Sequence, residues 1–317
     1  MKEYLEMKNE QLVSVLMSIY KESVLLVSQA INSIREQTYQ SLEIVVLLDY
    51  PEHKEMKEYL RRLAEKEPRL RYYFNERNLG LLNSLNRGVG LCHGDFICRM
   101  DADDFSEADR IEKQMQFMEA KGLDLVGSYI KLMNMEGQIT GEIRQFPSEH
   151  KYVCQYLKYA DAVPHPTWLV KKTIYEELNG YRNIPCAEDY DFLVRICLNG
   201  FKMGVVREPL LRYRINQKGI TQQNIARQKV VSKYLAGQLK REQVYEEREI
   251  DDLRQRDKSE ENNLVWYYEV GKKWKAGESI SFTEICRVLF STYSLMEIRQ
   301  RLTCKWILFK DRQSDNY

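Results

Sequence analysis

The first hundred residues alternate between two hydrophobic periods. Continuous apolar runs read as strands buried on both faces: LVSVLMSIY at 12–20, SLEIVVLLDY at 41–50, the shorter LRYYFNE at 70–76 and DFICRMD at 95–101. Segments of helical period separate them. In SVLLVSQAINSIREQ, Leu26, Ala30 and Ile34 recur at helical spacing, as do Val27 and Ile31, and Ser23 is placed to cap. HKEMKEYLRRLAEKEP is a charged surface helix closed by Pro68, and LGLLNSLNRGVGLCHG reads as a helix despite its glycines. Strand–helix alternation predicts βαβ units, right-handed crossovers and a parallel sheet.

From Asp109 the pattern shifts. DRIEKQMQFMEAKG predicts a helix stopped at Gly122. LDLVGSYIKLMN and GQITGEIRQF read as strands around a Glu-Gly turn, and SEHKYVCQYLKYA as a helix. PTWLVKK is strand-like, EDYDFLVRICLNG is a helix ending at Gly200, and FKMGVVREPLLRYRI is extended. Beyond about residue 224 the chain reads as long charged helices: RQKVVSKYLAGQLKREQVYEEREIDDLRQR, ENNLVWYYEVGKKWKAG and SFTEICRVLFSTYSLMEIRQRLTCKWILFK. This change places a boundary near 220–225.

Composition acts mainly by exclusion. With 317 residues and 44% hydrophobic content, the chain can bury the core of one large domain or two ordinary ones. Forty-eight Lys and Arg against 47 Asp and Glu leave a formal charge of +1, so no global pull toward nucleic acid exists. The seven cysteines contain no C-x-x-C pair and are expected to be reduced and mostly packing. The polar start MKEYLEMKNEQ predicts no signal peptide, and the lack of an apolar run of about 18 residues predicts no transmembrane helix.

Candidate chemistry concentrates in FICRMDADDFSEADR, where Asp101, Asp103 and Asp104 crowd the end of the fourth strand. Ligands of open parallel sheets bind outside the carboxyl ends of the strands. Asp49 ends the second strand, and Ser18 and Tyr20 the first, so three strand ends converge on polar groups. A D-x-D pair suits one divalent ion that also holds phosphate oxygens. A helix-start cluster is the alternative; the strand context favours the cation for Asp101 and Asp103, and leaves Asp104, Ser106 and Asp109 to start the next helix. No phosphate-binding G-x-x-x-x-G-K-[ST] occurs, and the G-x-G of GVGLCHG follows a helix.

A second acidic cluster, CAEDYDF, opens a helix, where negative charge is favoured for its own sake. Glu188, Asp189 or Asp191 could also serve as a general base for a hydroxyl nucleophile; spacing alone leaves the choice open. In VPHPTWLV, Trp168 beside His165 could stack on a sugar ring, although the pattern favours a core Trp with a surface His before a proline. The run REPLLRYRINQK (Arg207, Arg212, Arg214, Lys218) fits either a lid over a diphosphate or the outward positions of a strand.

In this order these motifs resemble glycosyltransferase family 2, the inverting GT-A enzymes. The resemblance spans roughly 13–216 and is carried by VSVLMSIYKE, SIREQTYQSLEIVVLLD, GLLNSLNRGVGLCHGDFICRMDADDFSEADRIEKQMQFME, HPTWLV, GYRNIPCAEDYDFLVRICLNGFK and EPLLRYR. It implies an α/β GT-A fold, Rossmann-like and mostly parallel, with a catalytic domain over 1–222; the long charged helices beyond it read as a helical region over 223–317. The nucleotide-sugar half would be about 1–105 and the acceptor half about 106–222. It implies a nucleotide-diphospho-sugar donor, a UDP-sugar first, and transfer of a hexosyl group to a glycan or lipid-linked glycan of a capsule, O-antigen or exopolysaccharide. Ser18, Tyr20, Asp49, Asn78, Asp101 and Asp103 would hold the donor. Asp103 and Asp101 would bind Mn²⁺ or Mg²⁺. Asp189 would be the base, with His165, Trp168, Glu188 and Asp191 on the acceptor side. The chain departs from the family's pattern at Leu48-Asp49-Tyr50-Pro51, where many members have two acids and then Gly, and at Asn216, where many have His.

The tail lies outside the resemblance. IRQRLTCKWILFKDRQ interleaves Arg and Lys with Leu302, Trp306 and Phe309, as a helix on an anionic membrane surface would, or one packed on the domain or on a second subunit. A cytoplasmic protein, peripheral on the inner membrane face through 295–312, and a homodimer are the corresponding expectations. Two other classes compete with the enzyme. A non-catalytic nucleotide-sugar-binding or scaffold protein of this fold would not need Asp101, Asp103 and Asp189 together. A nucleotidyltransferase would need a glycine-rich basic loop where SIYKESV stands.

Overall fold

The structure is a computed structural model of the chain, and it describes residues 11–184, 186–215, 225–250, 258–275, 279–289 and 291–314. Contacts divide it into two units. Among the described residues, the first runs to Phe146 and adds Val163–Tyr181 and Lys202–Ile215; the second takes Pro147–Ala162, Arg182–Phe201 and the chain from Asn216 onward. The division is therefore not at a single point: two stretches inside the region of resemblance belong to the helical unit.

The first unit is built on one sheet. Strands β1 (Val13–Ile19), β2 (Leu42–Leu48), β3 (Leu70–Phe74) and β4 (Phe96–Asp101) lie parallel in the order β3-β2-β1-β4. All seven residues of β2 are buried, as a strand with helices on both faces requires. Helices α1 (Val24–Arg35), α2 (Lys54–Ala64) and α3 (Leu81–Leu91) make the crossovers. Ser23 Oγ caps α1 by accepting from Leu26 N at 3.4 Å. α1 buries Val27, Ala30, Ile31 and Ile34 into the core of Val15, Met17, Ile44 and Val46. Each such Val or Ile side chain contributes about 1.5–3 kcal/mol of burial, and Ala30 less. Gly88 in α3 has a packing reason: a Cβ there would meet Leu16 and, at 2.9 Å, Leu47 Cδ1, so the helix lies close on the sheet.

Beyond β4 the sheet is mixed. β5 is the two-residue Phe105–Ser106, and α4 (Arg110–Lys121) ends at Gly122 in the left-handed conformation, φ 60°. β6 (Leu125–Met133) runs parallel to β9 (Met203–Arg214) and antiparallel to β7 (Ile139–Arg144). β8 (Leu169–Lys171) is antiparallel to both β4 and β6, followed by the short α6 (Lys172–Glu177).

The second unit is helical: α5 (His150–Leu157), α7 (Glu188–Leu198), α8 (Ile225–Arg241), α9 (Lys258–Lys275), α10 (Phe282–Leu289) and α11 (Thr292–Gln313). Two of the expected long helices are broken. α8 stops at Arg241, where Glu242 takes a positive φ of 54°. Ser291 separates α10 from α11 and caps the latter, accepting from Ser294 N at 3.1 Å. Asp311 near the end of α11 accepts from Ser148 N and Glu149 N at 2.9–3.1 Å, filling orphan donors at the start of α5. The expectation that all cysteines are reduced fails for Cys154 and Cys197, which form a disulfide between α5 and α7 with a Cα–Cα distance of 6.4 Å. Cys92, Cys98, Cys186, Cys286 and Cys304 are not disulfide-bonded.

Candidate active site

The carboxyl ends of β1, β2 and β4 meet in the first unit. Register pairs Ser18 with Asp101 on one side and with Leu47 on the other. Asp101 is one-third exposed and pairs with Arg99, Nη2 to Oδ1 at 2.5 Å. Arg99 is buried, and its Nε and Nη1 lack partners. Burial works against its charge, but Asp101 more than offsets that and holds the guanidinium protonated. The rest of the acid cluster is offset only in part. Burial, then Asp101 and Glu22, push the Asp103 carboxyl up to about 7. Burial also raises Glu22, with Asp101 adding to it against two backbone hydrogen bonds. Carboxylates buried and crowded in this way favour their protonated forms, and a nearby cation would reverse that.

Asp104 corrects one expectation. Neither it nor Ser106 caps α4. Asp104 is buried; its Oδ1 accepts from Arg214 N at 2.8 Å, its Oδ2 is unpartnered, and burial followed by Asp101 and Asp103 raises it well above the carboxylate range. The helix starts at Asp109, whose support is a 2.7 Å pair with Lys113 one turn on. Arg214 braces this loop, its Nε donating to Asp103 O at 2.7 Å and its Nη1 to Met135 O at 2.7 Å. Arg212 grips Glu107 at 2.8 and 3.0 Å. Both arginines are thus engaged inside the unit and do not form a lid over a diphosphate. Lys218 and Asn216 lie outside the described residues.

Asp49 is buried and anchors the loop before α3. It accepts from Leu79 N and Gly80 N, each at 2.8 Å, and from Asn75 Nδ2 at 2.6 Å. Asn78 Oδ1 shares the Gly80 amide at 2.9 Å, so the Asp49–Asn78 neighbourhood is a preorganised turn. Tyr20 is exposed, set edge-on to Tyr50 at 5.6 Å, with Lys21 Nζ 4.9 Å above its ring.

His165 and Trp168 are not on an open acceptor surface. Trp168 has no exposed area, and its Nε1 donates to Val163 O at 2.8 Å. His165 Nε2 lies 2.8 Å from Tyr181 Oη, and burial, then Arg99, hold the imidazole neutral. Trp168 is core, as the pattern around it favoured; His165 is core as well, against the surface position expected of a His before a proline.

In the second unit the structure separates the three acids of α7. Asp191 is fully buried between Arg182 and Arg195, the latter at 2.8 Å, and accepts from Tyr245 Oη at 2.7 Å. It is a structural hub, which removes it from the acceptor side. Glu188 and Asp189 stay half-buried in the first turn, and Asp189 Oδ1 accepts from Tyr190 N at 2.7 Å. Asp189 also lines a cavity of about 590 Å³. Sequence reasoning missed Glu22 and Arg99, and it named Arg214 without its role as a brace of the acid loop. Glu22 was within reach: it stands three residues past β1, on the same rim as Ser18.

Among the described residues, no three His, Cys, Asp or Glu side chains converge as a ready metal cage. Two carboxylates plus phosphate oxygens are enough for a Mg²⁺-like ion, and Asp101 and Asp103 fit that donor set.

A model of "Glycosyl transferase family 2" matches residues 14–187. An uncharacterized glycosyltransferase of Methanocaldococcus jannaschii is 32% identical over 227 residues, covering 71% of this chain and 78% of that one. The O-antigen biosynthesis glycosyltransferase WbnJ of Escherichia coli is 32% identical over 219 residues, covering 68% and 84%. The UDP-Gal:alpha-D-GlcNAc-diphosphoundecaprenol beta-1,3-galactosyltransferase of the same species is 28% identical over 210 residues, covering 65% and 74%. Crystal structures of S. aureus TarS 1–349 align at TM-scores of 0.54 with UDP and 0.55 with UDP-GlcNAc. Identities are 16% and 17%; coverage is 76% of this chain and 69% of TarS in the first, 72% and 70% in the second. The fold is GT-A with a helical C-terminal region, and the chain belongs to glycosyl transferase family 2.

Proposed function

We propose that this glycosyltransferase moves a hexosyl group from a UDP-sugar to a hydroxyl of a growing surface glycan, with inversion at the anomeric carbon. The observation that carries the reading is the acid rim beside Ser18, where Glu22 and Asp103 are both held above the usual carboxylate range next to the Arg99-paired Asp101. Such a rim suits a divalent cation carrying a diphosphate. The O-antigen, galactosyltransferase and amylovoran relatives support the surface-glycan class, and UDP in the TarS structures supports the nucleotide. Mn²⁺ or Mg²⁺, when bound by Asp101 and Asp103, would offset charge on the leaving diphosphate.

The chain's own groups do the rest. Tyr20 and Tyr50 offer ring edges for the base, and the Asp49 turn fixes the loop beside them. Asp189 accepts the proton of the acceptor hydroxyl as its oxygen bonds to the anomeric carbon. The bond from that carbon to the diphosphate oxygen breaks, and the nucleoside diphosphate leaves. A thermal-shift panel of nucleotide-diphospho-sugars checks the donor half. UDP-sugars should raise Tm with Mn²⁺ and much less with EDTA. No nucleotide response, or an identical response in EDTA, defeats the reading.

Membrane contact is part of the same proposal. Leu295, Ile298, Leu302, Trp306 and Phe309 of α11 are each more than half exposed. At 3.6 residues per turn they fall within an arc of about 80°. Arg301, Lys305 and Arg312 flank one side of that arc and Arg299 and Lys310 the other, while Cys304, Ile307 and Asp311 are buried on the opposite face. An apolar stripe with cations on both margins complements an anionic bilayer surface. No helix among the described residues is long and apolar enough to cross a membrane. Full-length protein should co-sediment with phosphatidylglycerol vesicles more than with phosphatidylcholine ones, and Leu302→Ser/Trp306→Ser should lose this. Equal sedimentation of variant and wild type removes the idea, and a wild-type dimer that the variant splits assigns the stripe to a second copy.

A further inference from the structure

The cavity beside Asp189 has a chemistry that its role as a base does not explain. It lies within the helical unit, lined by residues 158–161, the first turn of α7, and α8, α9 and α11. Its lining carries five cationic side chains against three carboxylates. One carboxylate, Glu297, is already engaged, accepting from Tyr268 Oη at 2.8 Å and lying 3.9 Å from Arg301.

Four of the cations are Lys158, Lys229, Lys240 and Arg299, which come from three separate stretches of chain. None of them ion-pairs with a carboxylate of the described residues. Lys158 and Lys229 are half-buried, and Lys240 and Arg299 stand at the rim. Lys240 Nζ rests 4.6 Å from the centroid of the Tyr159 ring. Burial first, then Arg299 and Lys158, lower the pKa of Lys240, so these groups feel one another. Like charges converging on a concave surface repel unless an anion sits among them. Lysines scattered over a convex helix surface would not show that coupling.

We infer that this cavity binds a phosphate or diphosphate group of the acceptor, so that the substrate class is a phosphorylated glycan. The inference rests on Asp189 being the base of the proposed transfer. A sugar ring next to the phosphate would meet Tyr159 and Tyr268 on the cavity wall. The phosphate could come from a lipid-linked diphosphate or from a water-soluble phosphate ester.

Titration calorimetry on the full-length protein separates these cases. Inorganic diphosphate is titrated into wild type, Lys229→Ala/Lys240→Ala and Arg299→Ala, with and without saturating UDP and Mn²⁺. Wild type should bind diphosphate in the presence of UDP. The double variant should bind it at least tenfold more weakly, Arg299→Ala should also weaken it, and UDP affinity should stay unchanged in both. Farnesyl diphosphate bound tenfold tighter than inorganic diphosphate names a lipid-linked acceptor; equal affinity names a soluble ester. Displacement of diphosphate by UDP, or undiminished binding in the double variant, overturns the cavity assignment and leaves the transferase reading intact. Failure of UDP itself to bind sinks the donor reading instead.

Discussion

Asp189→Asn should lower kcat for sugar transfer by about 10²–10⁴-fold, the usual contribution of a positioned general base, with donor Kd and Tm unchanged. The substitution keeps the shape of the side chain and an oxygen that can still accept from Tyr190 N, the 2.7 Å bond that orients the carboxylate. Only the proton acceptor is lost. Its neighbours make the comparison decisive. Glu188→Gln, in the same half-buried turn, should leave transfer within a few-fold of wild type. Asp191→Asn should instead lower Tm, because it leaves Arg182 and Arg195 facing a neutral side chain in a fully buried site. Removing one partner of such a pair costs about 3–5 kcal/mol. Rates are measured as UDP release, with the donor that gives the largest thermal shift. If Asp189→Asn keeps more than a tenth of the activity and Glu188→Gln loses it, the base is Glu188.

The separation of those three acids shows where sequence reading stops. Spacing along α7 puts Glu188 and Asp191 on one face, yet the partners that bury Asp191 include Tyr245, 54 residues away. No local pattern encodes that. The same limit hid the Cys154–Cys197 disulfide, the two-residue β5 held in register by Arg212 and Leu211, and the break of α8 at Glu242. The parallel half of the sheet was legible because its information is local. β1, β2 and β4 are continuous apolar runs, Ser23 and Gly122 mark helix ends, and Asp49 and Asp101 fall at strand ends by simple counting. At the acid rim the sequence pointed to Asp101 and Asp103 but put Asp104 in the next helix. Its true place depends on the amide of Arg214, 110 residues on.

That rim predicts the second large effect. Asp103→Asn should abolish transfer and Mn²⁺-dependent UDP binding, and should also make the metal-free protein more stable at neutral and alkaline pH. The acid's ordinary value of 3.8 is pushed up to about 7 by burial and by Asp101 and Glu22, with Arg214 pulling the other way. At pH values below the ordinary one, Asp103 is protonated whether the chain is folded or not, and its protonated form supports the fold fully. As pH rises through about 7, the folded chain must ionise it against its acidic neighbours, and that stability is lost. Asparagine cannot ionise. With EDTA present, variant and wild type should therefore melt alike near pH 4. Above pH 7 the variant should melt higher by roughly 2–8 °C, the response to about 1–2 kcal/mol in a domain of ordinary size. Adding Mn²⁺ and UDP should reverse the order, because only wild type has the carboxylate that the cation neutralises. Differential scanning calorimetry across pH 4–8 decides it. A variant less stable than wild type at pH 8 in EDTA would mean that Asp103 is a structural anion, held by Arg214 and indifferent to metal.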